Sequence, residues 1–292
     1  MRANTVSMYV LCAPCILNPS LRAEGITNPS DLVLFERCIE RCKKFGIEMV
    51  PLPCPETLYL GARRTPGTFL DRLNYPEFTT LIDALAEEVK KIIDIRGPPV
   101  CILGVNSSPT CGVTSTYYGK SGDESSKRAG RGVFLKKFSG IAAMDVTIFS
   151  QYRVYLAAPL FSEAERTYNA SIAGLLRNNL FDVFLPQETG DDSETRNKQG
   201  QVKIFSDNVS ALKNSDILTA IIDGADADSG TSWEMGYASA LGKKIIALRT
   251  DFRRSGSHEK VNLMLEESST VVISKEKLLE VIKSPLFLKS DS

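Results

Sequence analysis

The sequence predicts two α/β domains, the second of which is a doubly wound sheet of five parallel strands. Short apolar runs of strand length alternate with longer segments of helical periodicity in both halves. The length of 292 residues suits two domains of about 140 residues each. An apolar segment leads into a new series of strands and helices near residues 145–152. We therefore expect one domain over residues 1–146 and another over residues 147–292.

The first half is predicted to contain three strands and two long helices. The strands are expected at 7–12, 47–52 and 100–105, and the helices at 30–45 and 78–95. Ser30 is the expected cap of the first helix, and Gly46 is expected to end it. The second helix has apolar residues along one face, which is typical of a helix packed on a sheet. Residues 117–131 are polar and rich in glycine and serine, and they predict a loop.

The second half is predicted to contain five strands separated by helices. Strands are expected at 154–157, 182–185, 216–223, 244–248 and 270–273, and helices from Ser162 to about 178, at 202–214, at 231–241 and after 273. Residues 188–200 are polar and predict a further loop. Strands separated by helices pair in parallel, as in flavodoxin-like and Rossmann-like folds, and a site is expected at their carboxyl ends.

Composition argues against several classes of protein. Lysine and arginine total 35 and aspartate and glutamate total 35, so the chain lacks the basic excess of a nucleic-acid-binding protein. No apolar run reaches the ~20 residues that cross a bilayer. The N-terminal segment is interpreted as a strand rather than a signal peptide, so we expect a cytoplasmic protein without a membrane partner. The single histidine, His258, argues against Ser-His-Asp catalysis.

The segment DGADADSGTSWEMGYA, residues 223–238, concentrates carboxylates where a strand meets a helix. Glu234 is expected in the first helical turn, where the helix N-terminus stabilises an anion. Asp228 lies six residues earlier, across the turn. Two carboxylates that converge on one cleft suit glycosyl transfer. The alternative is that Thr231 and Glu234 form a capping box, and the two interpretations can share residues.

Residues 153–275 resemble the nucleoside 2-deoxyribosyltransferases. The resemblance is carried by DADSGTSWEMGYASALGKKIIAL, by RVYLAAPLF around Tyr155 and by the late NLM at 262–264. It implies that Glu234 is the nucleophile, that Asp228 binds the sugar and positions the base, and that Tyr155 orients the nucleophile. It implies 2'-deoxynucleosides and free nucleobases as substrates, with no cofactor in this domain.

The same resemblance implies further substrate contacts. These are expected at Asn208, Asp223 and Gly230, and at Asn262 and Met264, which reach into a neighbouring subunit's site and imply a homo-oligomer. The family often has an aspartate where this chain has Asn208, so the preferred base stays open.

Two other functions remain open for this half. A related branch hydrolyses deoxynucleoside 5'-monophosphates and has a serine near the position of Asp228. A carboxylate there would repel a phosphate, which favours nucleosides over nucleotides. The second alternative is a non-catalytic module that senses nucleosides or nucleotides, next to a domain with a structural metal.

All seven cysteines lie within the first 111 residues. A disulfide framework is not expected in a chain of this length with an odd cysteine count. Cys15, Cys54 and Cys111 each follow a predicted strand, so their thiols can meet at one edge of a parallel sheet. Three thiolates can hold zinc with one open position, or three irons of a [4Fe-4S] cluster. The alternative is that the thiols are merely buried, which suits Cys101 best.

Residues 8–142 resemble the thiouracil desulfidase family. The matching sequences are CILN at Cys15, PCPE around Cys54 and SPTCG around Cys111. The resemblance implies that these cysteines hold a [4Fe-4S] cluster whose free iron takes sulfur from a thiolated base. Cys12 forms a C-x-x-C with Cys15, which leaves a redox pair or an alternative ligand open.

Overall fold

The computed structural model describes residues 8–122, 126–189, 197–252 and 261–283. The chain divides into two compact units, Met1–Ser150 and Gln151–Ser292; the sequence places this boundary after residue 146. Both units combine helices with a parallel sheet, which confirms the predicted mixed α/β class. Within the described residues, no helix combines the length and the apolar character needed to span a bilayer.

The first unit is built on a four-stranded parallel sheet with the order β2-β1-β3-β6. Its strands are β1 (Tyr9–Cys12), β2 (Glu48–Pro51), β3 (Ile102–Gly104), β4 (Ser115–Tyr117), β5 (Lys127–Ala129) and β6 (Ala143–Asp145). Its helices are α1 (Pro29–Lys44), α2 (Pro55–Leu60), α3 (Phe69–Arg72), α4 (Pro76–Arg96) and α5 (Val146–Phe149). Since β1, β2 and β3 are adjacent and parallel, the loops that follow them begin at one edge of the sheet.

Two local predictions for this unit are wrong. Helix α1 begins at Pro29 rather than after Ser30, because Asn28 and Asp31 form the capping box and proline suits the first helical position. Part of the predicted loop at 117–131 is a strand, since β5 pairs antiparallel with β4. β5 is fully exposed and two of its three residues are charged, so it lacks the apolar alternation that marks a half-buried strand.

The second unit contains a parallel sheet with the order β11-β10-β9-β7-β8. Its strands are β7 (Arg153–Ala157), β8 (Asp182–Phe184), β9 (Ile217–Ile221), β10 (Lys244–Leu248) and β11 (Thr270–Val272). Its helices are α6 (Glu163–Asn178), α7 (Lys198–Asn214), α8 (Ser229–Ala240), α9 (Leu263–Glu267) and α10 (Lys275–Ile282). Every residue of the central strand β9 is buried, as in a sheet covered on both faces.

We predict that Gly104→Ala destabilises the first unit. A methyl group there would lie 2.6 Å from Cγ2 of Val113 and would overlap the carbonyl oxygen of Cys111, because the loop after β3 packs directly on this glycine. The expected loss is about 1–3 kcal/mol of unfolding free energy, measured by urea denaturation followed by circular dichroism. Gly140→Ala is the matched control, since open space surrounds Gly140. Equal effects of the two substitutions would contradict the close packing.

Candidate functional site

A cavity of about 340 Å³ lies between α7 and α8 of the second unit. The residues that carry chemistry or aromatic surface in its lining are Tyr155, Phe205, Asn208, Gly230, Trp233 and Glu234. Helix α8 buries Thr231, Met235 and Ala238, which repeat at the spacing of one helical face. Glu234 lies at the edge of that face, so its side chain reaches the sheet instead of solvent.

A short hydrogen bond between a tyrosine and a carboxylate lies in the lining of this cavity. The hydroxyl of Tyr155 donates to Oε1 of Glu234 at 2.5 Å. The tyrosine is fully buried on β7, and its ring stacks on Phe184 of β8 at 5.4 Å. The ring therefore cannot turn away, and the hydroxyl holds the carboxylate in one position.

Burial raises the pKa of Glu234 to about 7. The negative charge of Asp228 raises this pKa further, whereas the hydrogen bond from Tyr155 lowers it. Burial and the neighbouring carboxylate raise the pKa of Tyr155 far above its usual range, so the phenol keeps its proton. A carboxyl group with a pKa near 7, aimed into a cavity, is suited to act as a nucleophile or a base.

The structure corrects the expected start of α8. The helix begins at Ser229, so Glu234 lies in the second turn and is not stabilised by the helix N-terminus. Asp228 is the N-cap: its Oδ2 accepts hydrogen bonds from the Thr231 amide at 2.9 Å and the Thr231 hydroxyl at 3.3 Å. The capping box of Thr231 with Glu234 is therefore not formed, because an aspartate placed earlier caps the same amides.

Gly230 and Asn208 lie on opposite walls of the cavity. Gly230 precedes Glu234 by one helical turn, and a methyl group there would come 3.1 Å from Oδ2 of Asp228. Its missing side chain keeps the space beside Glu234 open. Asn208 is half-buried on α7 and brings an amide to the cavity.

Asp228 is not among the residues that line this cavity, and three further predicted residues also lie outside it. The carboxylate of Asp223 accepts hydrogen bonds from the amides of Thr250 and Asp251 and so joins β9 to the loop after β10. Asn262 caps α9 by accepting from the Met264 amide at 3.0 Å. The side chain of Met264 is 75% exposed. His258 lies outside the described residues.

Two aromatic residues of the cavity are not predicted from the sequence. Trp233 directly precedes Glu234, and Phe205 lies three residues before Asn208 on one face of α7. Both positions could have been found by helical spacing from the polar residues, but aromatic side chains at such positions are more often part of a core.

The first unit contains a separate cavity of about 780 Å³, lined by Cys15, Cys54 and Cys111 among other residues. The three cysteines follow β1, β2 and β3, which are neighbouring strands. Burial raises the pKa of Cys15 to about 12, and the nearby Cys54 adds to this shift. Burial also raises the pKa of Cys111, with smaller contributions from the other two thiols. The three thiols are thus close enough to influence one another.

A buried ion pair supports one of these thiols. Arg64 is 6% exposed, and its Nε lies 3.5 Å from Oε2 of Glu56. Arg64 also donates to the hydroxyl of Thr57 at 3.0 Å, and that hydroxyl donates to Sγ of Cys54 at 3.1 Å. The arginine therefore fixes Cys54 through Thr57.

The same ion pair supports the loop of a second thiol. Oε1 of Glu56 accepts hydrogen bonds from Thr110 at 2.8 Å and from Ser108 at 3.2 Å. Ser108 in turn accepts from the amide of Cys111 at 3.0 Å. Two of the three cysteine loops are consequently tied to one carboxylate, Glu56.

The three thiols of this cavity are the side chains that would hold a metal ion or a cluster there. Among the described residues, no group of three or more His, Cys, Asp or Glu side chains is placed to hold one ion. Thiolates on one zinc lie about 3.8 Å apart, given zinc–sulfur bonds of ~2.3 Å. In a cluster each thiolate binds a different iron. Cys12 is fully buried in β1 and is not among the residues that line this cavity.

The second unit matches a known protein family. Residues 154–269 match the family model of the nucleoside 2-deoxyribosyltransferases. An uncharacterised protein of Ureaplasma parvum is 34% identical over 115 residues, a match that covers 35% of this chain and 72% of that protein.

Three solved structures are similar to part of the chain. A conserved protein from Enterococcus faecalis is 31% identical, with 46% of this chain and 98% of that chain covered and a TM-score of 0.39. A 2-deoxyribosyltransferase from Bacillus psychrosaccharolyticus is 26% identical, with coverages of 43% and 89% and a TM-score of 0.39. A CMP N-glycosidase from Clostridium botulinum is 23% identical, with coverages of 44% and 94% and a TM-score of 0.29.

We predict that Glu234→Gln stabilises the protein, and more so at high pH. Glu234 has a folded-state pKa of about 7, above its unfolded value, so ionisation destabilises the fold as pH rises through that range. Glutamine keeps the acceptor for Tyr155 but carries no charge. The expected gain grows by about 1–3 kcal/mol between roughly pH 5 and pH 8, measured as urea midpoints. A gain that does not change with pH would contradict the shifted carboxyl group.

Proposed function

Because its second unit carries the nucleoside 2-deoxyribosyltransferase family model, we propose that this chain cleaves the N-glycosidic bond of 2'-deoxynucleosides and transfers the sugar to another base. The observation that carries the proposal is the half-buried Glu234 carboxylate, held by Tyr155 in a cavity of nucleoside size.

The reaction consists of two displacements at C1' of the sugar. An oxygen of ionised Glu234 forms a bond to C1' while the bond from C1' to the base nitrogen breaks, and the electron pair leaves with the base, which takes a proton from solvent. A nitrogen of the second base then attacks C1', loses its proton and releases the carboxylate. Tyr155 keeps the oxygen in position in both steps, which is the advantage of a pre-oriented nucleophile.

Asp228 favours nucleosides over nucleotides. It brings a second carboxylate near Glu234, and its charge contributes to the raised pKa of that residue. We propose that it binds the sugar and positions the base. A phosphate at the same place would be repelled, so hydrolysis of deoxynucleoside 5'-monophosphates is the second candidate, and binding without turnover is the third.

We also propose that the protein is a homodimer or a larger homo-oligomer that acts in the cytoplasm. Asn262 and Met264 are exposed on α9 and lie outside their own subunit's cavity, which supports a role in a neighbour's site. The free cysteines of the first unit suit a reducing compartment.

We predict that Glu234→Ala lowers base exchange by at least about a thousandfold, the scale expected when a nucleophile is removed. The assay combines thymidine with free adenine and separates new deoxyadenosine from released deoxyribose; thymidine 5'-monophosphate is tested in parallel. Glu280→Ala, which removes an exposed carboxylate of α10, is the control and should keep full activity. Release of deoxyribose alone, or activity only on the monophosphate, would contradict transfer. Bound but unchanged nucleoside would favour a sensor.

For the first unit we propose a [4Fe-4S] cluster held by Cys15, Cys54 and Cys111, with removal of sulfur from thiolated bases as a second activity. Three neighbouring thiols that line one cavity support it, together with the resemblance of the surrounding sequence to the desulfidases. When bound, such a cluster offers one iron without a protein ligand to a soft sulfur atom. Thr57 and Arg64 orient Cys54.

We predict that anaerobic reconstitution with iron and sulfide loads about four irons per chain, with the broad visible absorbance of iron–sulfur charge transfer. Cys54→Ala should lose this absorbance and most of the iron. Cys101→Ala is the matched control, because Cys101 is buried and lies outside the cavity lining. One zinc per chain without iron, or full iron retention by Cys54→Ala, would overturn the assignment.

A further inference from the structure

A buried arginine joins the ends of two neighbouring strands in the second unit. β9 and β10 pair in parallel up to Ile221 and Leu248. Arg249 directly follows β10 and is only 4% exposed. Its two terminal nitrogens donate to the carbonyl oxygens of Ile222 at 2.7 Å and Gly224 at 3.1 Å. The arginine therefore continues the link between β9 and β10 beyond the last residues of the two strands.

Two carboxylates complete this link, and we call Asp223, Arg249 and Asp251 together the strand-end clamp. The carboxylate of Asp223 accepts hydrogen bonds from the Thr250 amide at 2.5 Å, from the Thr250 hydroxyl at 2.7 Å and from the Asp251 amide at 2.8 Å. Oδ2 of Asp251 accepts from the amide of Gly224 at 3.1 Å. Both the amide and the carbonyl group of Gly224 are thus held, at a φ of +120° that favours glycine.

The burial of Arg249 has a cost in stability. An arginine is almost never fully buried unless it is paired, because taking a charge out of water costs several kcal/mol. An apolar side chain could fill the same space without that cost. Natural proteins keep such costly groups mainly where a functional site needs them. The buried guanidinium therefore indicates that the position of the backbone at 222–224 matters for function.

The backbone that the clamp holds leads directly to Asp228. Only residues 225–227 separate Gly224 from Asp228, so a fixed Gly224 restricts where Asp228 can lie. Asp228 accepts from the Thr231 amide at 2.9 Å and so caps α8. Burial raises the pKa of Glu234, and the charge of Asp228 raises it further. A displacement of Gly224 would therefore reach the reacting carboxylate by way of Asp228.

We propose that Arg249 is a positioning residue for the transfer reaction and that, through the strand-end clamp, it holds Asp228 in place beside Glu234. This inference rests on the proposed function and adds a residue that acts on the site from outside it. Arg249 is not among the residues that line the Glu234 cavity. The same clamp gives Asp223 a role that requires no contact with the substrate.

A double-mutant cycle with Asp228 tests this role, with exchange between thymidine and adenine as the assay. Arg249→Met removes the donors but keeps an apolar stem, and it should lower kcat/KM roughly tenfold to a hundredfold. In an Asp228→Asn background, where asparagine can still cap α8, the same substitution should change kcat/KM by less than about twofold. Arg249→Lys should recover most of the activity, because an ammonium group still donates to carbonyl oxygens.

Arg177→Met is the matched control. Arg177 also donates to a backbone carbonyl, that of Val183 at 2.9 Å, but it holds β8 instead of the loop before α8. Its replacement should leave kcat/KM unchanged. Asp223→Ala opens the clamp from its other side and should give the same non-additive pattern with Asp228→Asn, so it serves as the test if Arg249→Met does not fold.

The outcomes separate this inference from the proposed function. Equal losses for Arg249→Met in the wild-type and Asp228→Asn backgrounds would overturn the inference and leave the transferase standing. If thymidine binds without exchange, the same cycle is measured as calorimetric Kd values, and non-additive losses of affinity would support the clamp while refuting the transferase. A chain that neither exchanges nor binds thymidine would refute both.

Discussion

Parallel strands must be joined by crossover connections, and this constraint gathers the ends of successive strands at one edge of a sheet. In the first unit it brings together the loops after β1, β2 and β3, each of which carries one cysteine of the cavity. In the second unit it puts α8 directly after the buried central strand β9 and beside β7. The contact between Glu234 and Tyr155 follows from that arrangement, although 79 residues separate the two along the chain.

The environment of Glu234 shows how a fold can give up stability for reactivity. A buried carboxylate costs free energy when it ionises, and the raised pKa expresses that cost. Tyr155 offsets part of it with one hydrogen bond, while Asp228 adds to it with a second negative charge. Asp228 also caps α8, so one residue both stabilises the helix and raises the pKa of Glu234. Such opposing contributions are typical of functional sites.

The seven cysteines fall into two environments, and the sequence already separates the three that follow strands from the rest. Cys15, Cys54 and Cys111 line a cavity, and Cys111 is also buried, whereas four other buried cysteines do not line it: Cys12, Cys38, Cys42 and Cys101. The supporting ion pair of Arg64 and Glu56 has no signature in the sequence, since charged residues in a loop or in the first turn of a helix are usually solvated. Only the tertiary structure shows that Thr57, Ser108 and Thr110 form hydrogen bonds to the two members of this ion pair.

The sequence by itself determined the alternating α/β plan, the strands of the second unit and the segment that carries Glu234. Helices and strands depend on the local spacing of apolar residues, and that spacing can be recognised in the sequence. It also singled out Asp228, Tyr155 and the three cysteines, through the residues around them. Only the tertiary structure decided which carboxylate caps α8, because several carboxylates competed for the same amides. It alone decided the pKa of Glu234, since burial is a property of the packed fold. It also decided that Trp233 and Phe205 face one cavity, because their contact joins two helices whose relative position no local pattern specifies.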